Sequence, residues 1–178
     1  MTQLLFIENF LDAATCAAMI DELRVATSAP AKTYGTSRDV EVQIRRTTAV
    51  LPGDAMRALI DRRLRDEMPS IASYFAIDLT DIEEPQFLRY QTGDFFVAHQ
   101  DGNTKLLRET KVRRISTVVF LSDRGAYEGG ALVFHHTFDD REPVTPRAGT
   151  LVAFRAETTH EVTPVTSGER YTVVSWFR

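Results

Sequence analysis

The chain has 178 residues, 43% of them hydrophobic and 26% charged, with a formal charge of −4. That is the balance of an ordinary globule, and one domain of this size buries roughly 70% of the surface its unfolded chain exposes, so residues 1–178 are expected to form a single domain. The mild acidity offers no field to gather nucleic acid, no apolar run approaches bilayer-spanning length, and no basic stretch opens the N-terminus. The expectation is a cytoplasmic protein with neither a nucleic-acid nor a membrane partner.

Residues 4–7 form a short apolar run suited to a strand. Asp12 stands as an N-cap before a helix over 13–25, where Cys16, Met19, Ile20 and Leu23 share a face. Cys16 is the only cysteine, so no intrachain disulfide forms, and its helical spacing makes it a small core residue rather than a nucleophile. Breaker-rich residues 27–39 predict a loop, and 40–50 a strand. Pro52-Gly53-Asp54 opens a second helix, with Met56, Leu59, Ile60 and Leu64 on one side. Residues 1–84 thus supply helical support and first strands. From 86 onward the texture changes to short β-branched and aromatic runs at 86–91, 95–100, 113–121, 131–136, 149–154, 159–165 and 170–177, punctuated by Gly and Pro. Such a series indicates a sandwich or barrel. Gly129-Gly130 suits a tight turn or bulge, since no phosphate-loop pattern surrounds it.

Within that β-rich half lies His99-Gln100-Asp101, followed by a distant His160 and, ten positions later, Arg170. If 96–101 is extended, His99 and Asp101 project from one face and form two teeth of a clamp, and His160 from a later strand supplies a third ligand. Two histidines and one carboxylate leave one side of a metal open, the ligand set of non-haem Fe(II) oxygenases. Each piece has a plainer reading: a chance HxD pair, a buried His160 bonded to backbone, an edge-strand Arg170 in solvent. A tight turn at Ser167-Gly168 is expected to fold 170–177 back antiparallel to 159–165, placing Arg170 two or three rungs from the metal. There its guanidinium matches a dicarboxylate whose other end chelates iron. His135 and His136 are consecutive, so only one can point inward, and both are read as structural.

Residues 85–178 resemble the 2-oxoglutarate- and Fe(II)-dependent dioxygenases, in particular the prolyl 4-hydroxylase-like branch. The matching pieces are RYQTGDFFVAHQD, RRISTVVFLSD, EGGALVF, PRAGTLVAF and TTHEVTPVTSGERYTVVSWF. The resemblance implies an α+β, mainly β fold: a double-stranded β-helix, or jelly roll, backed by N-terminal helices, with 85–178 as its catalytic core. It assigns iron to His99, Asp101 and His160, and the distal carboxylate of 2-oxoglutarate to Arg170. Tyr90 and Trp176 match residues of the co-substrate pocket wall, although a half-buried strand tyrosine and a core tryptophan would look the same. The implied reaction is hydroxylation of an unactivated C–H bond using O2, with release of succinate and CO2. Ascorbate is the accompanying reductant to expect.

Three departures refine the expectation. Phe120 stands where some relatives carry a co-substrate-binding tyrosine, which shifts weight onto Arg170. Nucleic-acid demethylases of the superfamily have a second arginine where this chain has Trp176, and halogenases lack the carboxylate that Asp101 provides. The expected substrate is a peptide or protein; a small metabolite, a non-catalytic metal- and 2-oxoglutarate-binding module and a cupin-like isomerase or hydrolase are the alternatives. Lys105, Arg108, Lys111, Arg113 and Arg114 give the segment 102–114 a basic character in an acidic chain. It is either a solvated loop or a finger that attracts an acidic substrate.

Overall fold

The structure is a computed structural model that describes residues 3–31, 43–102, 113–136 and 141–178. The elements before the β-rich half are β1 (Leu4–Ile7), α1 (Ala13–Val25), β2 (Thr27–Pro30), β3 (Arg45–Arg46), β4 (Thr48–Leu51) and α2 (Asp54–Phe75). Then come β5 (Gln86–Tyr90), β6 (Phe95–His99), β7 (Ile115–Phe120), β8 (Tyr127–Gly129) and β9 (Leu132–His135). The chain closes with β10 (Arg141–Val144), β11 (Leu151–Arg155), β12 (His160–Val162), β13 (Val165–Gly168) and β14 (Arg170–Phe177).

Both helices begin where local chemistry satisfies their free N–H groups. Asp12 has extended backbone and its Oδ1 accepts from the Thr15 N–H at 2.7 Å, the expected N-cap of α1. Gly53 has no side chain to cap α2; its own N–H instead donates to Glu22 Oε1 of α1 at 2.7 Å, tying the helices together. Cys16, Met19 and Leu23 of α1 and Met56, Ile60, Leu64, Ile71 and Phe75 of α2 turn one stripe each into a shared core.

Two antiparallel sheets carry most of the strands. The larger has the order β1-β11-β7-β14-β5-β4-β2 and the smaller β10-β9-β12-β6-β3; β13 and β8 form a separate ribbon. Period-2 alternation assigns each face of the larger sheet. Ile115, Val119 and Leu121, with Tyr171, Val173 and Phe177, pack on the helices. Val118 and Phe120 turn the other way and meet Leu132, Phe134 and Val144 of the smaller sheet. The result is the expected double-stranded β-helix with its helices on one outer face, and the site lies between the sheets.

Several expectations need correction. Residues 27–30 are a strand rather than loop, because β4 pairs with Thr27–Pro30 along its length. The run 159–165 splits: β12 pairs with β6 and β9, whereas β13 pairs with β8. Consequently β14 does not fold back on 159–165 but crosses to the other sheet, between β5 and β7. The expected strand over 40–50 is two short pieces, β3 and β4, and its first residues lie outside the described ones, as does most of the basic segment 102–114. Arg113, which is described, is no free charge: it pairs bidentately with Glu83 and stacks on Trp176.

Candidate functional site

A cavity of about 170 Å³ opens between the sheets, and His99, Asp101, His160, Arg170, Tyr90 and Trp176 all border it. The last residue of β6 and the first of β12 are direct register partners, which sets His99 beside His160 with ring centroids 4.2 Å apart. Asp101 reaches the same point by a different route from that expected. It lies beyond the end of β6, in a bend, and its N–H and that of Gly102 both donate to the Ala156 carbonyl at 2.9 Å. A backbone clip rather than strand alternation therefore delivers the carboxylate. One donor atom from each of His99, Asp101 and His160 falls within 4.8 Å of the others, and among the described residues no other such group forms.

The protonation pattern suits a cation. His99 Nδ1 lies 2.8 Å from the Val97 carbonyl and His160 Nδ1 2.9 Å from that of Thr158. A carbonyl only accepts, so each Nδ1 donates to it and each Nε2 is the ring nitrogen left facing Asp101, 3.6 Å away. Burial pushes His160 down to about 4, leaving it neutral at neutral pH. Burial alone would raise Asp101, but the positive charge that His160 gains on protonation at acid pH, followed by His99, holds its carboxyl well below the usual carboxylate range. Ser116 Oγ also donates to Asp101 Oδ2 at 2.7 Å. Phe96 stacks on His99 at 3.6 Å and Phe154 meets His160 edge-on at 4.7 Å, so apolar faces fix both rings.

Arg170 and Tyr90 sit opposite one another on β14 and β5. Arg170 is only 1% exposed, far from the solvated edge that was the plainer alternative. Its guanidinium lies 5.0 Å from the Tyr90 ring and 5.1 Å from that of Phe120, and Nη1 reaches Thr172 Oγ1 at 3.4 Å. Its Nε has no hydrogen-bond partner among the described residues, and no described carboxylate pairs with it. Phe120, at the departure noted in the sequence, thus supplies a ring face to the arginine. Trp176 is 8% exposed; Arg113 lies 3.7 Å over its ring and is itself held by Glu83.

The remaining histidines stay outside the cluster. His135 faces Glu161 at 3.3 Å and His136 faces Glu142 at 2.8 Å. Sequence reasoning passed over Ser116, Thr172, Gln86, Gln100 and Arg45, which also line the cavity. For Ser116 and Thr172 a signal existed: they share strand parity with Val118 and Phe120 on β7 and with Arg170 on β14.

The model of a family described as the 2OG-Fe(II) oxygenase superfamily matches residues 85–178. A PKHD-type hydroxylase of Shewanella oneidensis is 41% identical over 95 residues, which are 53% of this chain and 42% of that protein. A second such hydroxylase, from Burkholderia lata, is 31% identical over 147 residues, 80% of this chain and 64% of that protein, so the chain spans roughly half the length of these relatives. The crystal structure of a Pseudomonas putida prolyl-4-hydroxylase superposes with a TM-score of 0.72 at 26% identity, covering 100% of this chain and 93% of that one. A prolyl hydroxylase from Trichoplax adhaerens, in complex with a hypoxia-inducible-factor oxygen degradation domain peptide, shares the fold at a TM-score of 0.76 and 16% identity, covering 99% and 84%.

Proposed function

This chain belongs to the 2OG-Fe(II) oxygenase superfamily, and on that premise we propose that it is a 2-oxoglutarate-dependent hydroxylase whose iron is held by His99, Asp101 and His160. The observation that carries the reading is the charge at the far end of the cavity. An arginine buried to 1% exposure with no anionic partner among the described residues calls for an anion, since an unpaired buried charge costs several kcal/mol. The triad and Arg170 border one cavity, which fits a dicarboxylate chelating metal at one end and paired with guanidinium at the other.

Iron, when bound, supplies oxidative decarboxylation of 2-oxoglutarate by O2, coupled to hydroxylation of a substrate C–H bond. The chain's own residues bind, orient and exclude water. Arg170, flattened between Tyr90 and Phe120, is pre-set for the distal carboxylate and keeps little freedom to lose on binding. Val97 and Thr158 carbonyls keep both Nε2 atoms in the ligating form. Leu88, Leu132, Val162 and Val174 make the intervening wall apolar.

The substrate reading is a peptide or protein, supported by the prolyl-4-hydroxylase likeness at 26% identity and by a peptide-bound neighbour of the same fold. An acidic substrate is part of the proposal through the basic character of 102–114. Ascorbate as reductant belongs to the same reading and is tested by its omission. So does a cytoplasmic setting, which suits the buried free thiol of Cys16; no described helix is long and apolar enough to cross a membrane. Anaerobic addition of 2-oxoglutarate to the Fe(II) protein should produce a visible charge-transfer band, absent in His160→Ala. A colourless mixture with wild-type protein that demonstrably holds iron would sink the chelation on which the function rests.

A further inference from the structure

We infer that Ser116 is a positioning residue that makes Asp101 a one-oxygen ligand, so that one further coordination position stays open. The inference rests on the reading of the triad as a metal site, and it concerns a side chain that would act on the metal through Asp101. Ser116 is 2% exposed, in the only segment of β7 where the inward parity is polar rather than apolar: the positions two and four further on are Val118 and Phe120. A hydroxyl in that setting must find an acceptor. It takes Asp101 Oδ2 at 2.7 Å.

The partner of Ser116 across the ladder is Trp176, so both side chains emerge on the same face at the same level. The Trp176 ring is pinned by Arg113 and, through it, by Glu83. The backbone clip at Ala156 fixes where Asp101 starts, and Ser116 fixes which way its carboxylate turns. With Oδ2 engaged by a hydroxyl, Oδ1 is the oxygen left with uncommitted lone pairs. Each oxygen lies 3.6 Å from an imidazole Nε2, Oδ1 from His99 and Oδ2 from His160, so the Ser116 hydroxyl on Oδ2 is what makes the two unequal. A carboxylate released from Ser116 is free to rotate and to present both oxygens, which would occupy a position needed by other ligands.

Mn(II) and Co(II) are the probes, used without co-substrate on the full chain. Wild type, Ser116→Ala and Ser116→Thr are compared by metal titration and by the Co(II) ligand-field spectrum, which reports coordination number. Loss of a partner that orients a ligand typically weakens metal affinity about 10- to 100-fold, and that is expected for Ser116→Ala, together with an altered Co(II) spectrum. Ser116→Thr retains the hydroxyl and should restore both. If Ser116→Ala shows no folding transition, Ser116→Cys keeps the volume with a weaker donor and should fall between wild type and the loss expected of alanine. Equal affinity and an identical Co(II) spectrum in wild type and the hydroxyl-free variant would overturn the inference while leaving the metal site standing. Wild type that binds neither ion, or binds them equally well after His160→Ala, would overturn the metal reading and this inference with it.

Discussion

Arg170 and His160 are basic cavity residues held almost wholly out of water, at 1% and 5% exposure, and each burial has a measurable consequence. For Arg170 it is affinity. Removing one partner of a buried ion pair typically costs about 3–5 kcal/mol, and each 1.4 kcal/mol is about tenfold. Arg170→Ala should therefore weaken 2-oxoglutarate binding by roughly two to three and a half orders of magnitude in a calorimetric titration of the Mn(II) protein. Mn(II) affinity itself should hold, because no triad atom contacts the guanidinium. Unchanged 2-oxoglutarate affinity would remove Arg170 from the site. For His160 the consequence is pH. Its folded value lies near 4 against 6.5 for the free side chain. Below 6.5 the unfolded chain takes up a proton that the folded chain refuses, so the metal-free protein should lose stability as pH falls from 6.5 to about 4. The loss is on the order of 3 kcal/mol if fully expressed. Asp101, held low in the fold, adds its own loss only below the ordinary carboxylate range. Urea midpoints of the metal-free protein between pH 7 and 4 measure this, and His160→Gln should flatten the upper part of the slope.

At the scale of elements, the ribbon of β8 and β13 matters to the site although it contributes no ligand. Gly129 and Gly130 both have positive φ, as a turn or bulge at that point requires. A Cβ on Gly130 would stand 2.9 Å from Val165 Cγ2 and 3.1 Å from Arg170 Cδ. Gly130→Ala should push on the shaft of Arg170 and incur the left-handed backbone penalty of roughly 1–2 kcal/mol. The expected result is a lower melting temperature and about tenfold weaker 2-oxoglutarate binding with Mn(II) affinity unchanged; a variant that melts lower but binds the co-substrate normally would confine the glycine to folding. The helices and most strands were legible in the sequence because periodicity records burial, and both faces of β7 and β14 are buried in alternation. The residues that converge were legible as residue types. How they converge was not. Asp101 sits in a bend held by Ala156, a partner 55 positions away that no local pattern announces. TSAP has weak strand character and predicts loop, whereas pairing with β4 imposes the strand. The partner of β14 was misread for a related reason: adjacency predicts a hairpin, but the turn at Ser167-Gly168 belongs to the ribbon with β8. Ser116 is legible only by extending the parity of Val118 and Phe120 back along β7, a step that a lone serine does not prompt.

For the molecule as a whole, the cavity is where the sandwich leaves its interior open to a ligand. His99 and His160 come from the smaller sheet and Arg170 from the larger, with Asp101 hung between them on a loop. On the proposed assignment, a metal alone would join the two histidine strands to the Asp101 loop. A dicarboxylate chelated to that metal and paired with Arg170 would join one sheet to the other, and ligand binding to the folded state stabilises it by mass action. At a concentration one hundred times Kd the gain is about 2.7 kcal/mol, which for a protein of this size corresponds to roughly 5–11 °C in Tm at about 2–4 °C per kcal/mol. Mn(II) should raise Tm by itself, and 2-oxoglutarate should add a further shift of that order only when Mn(II) is present. Without metal, the guanidinium holds just one end and the shift at the same concentration should be small. Arg170→Ala should keep the Mn(II) shift and lose the increment, whereas Asp101→Ala should lose both. Equal shifts from 2-oxoglutarate with and without Mn(II) would mean that the co-substrate does not bridge metal and arginine, and that the two sheets meet in this cavity for some other ligand.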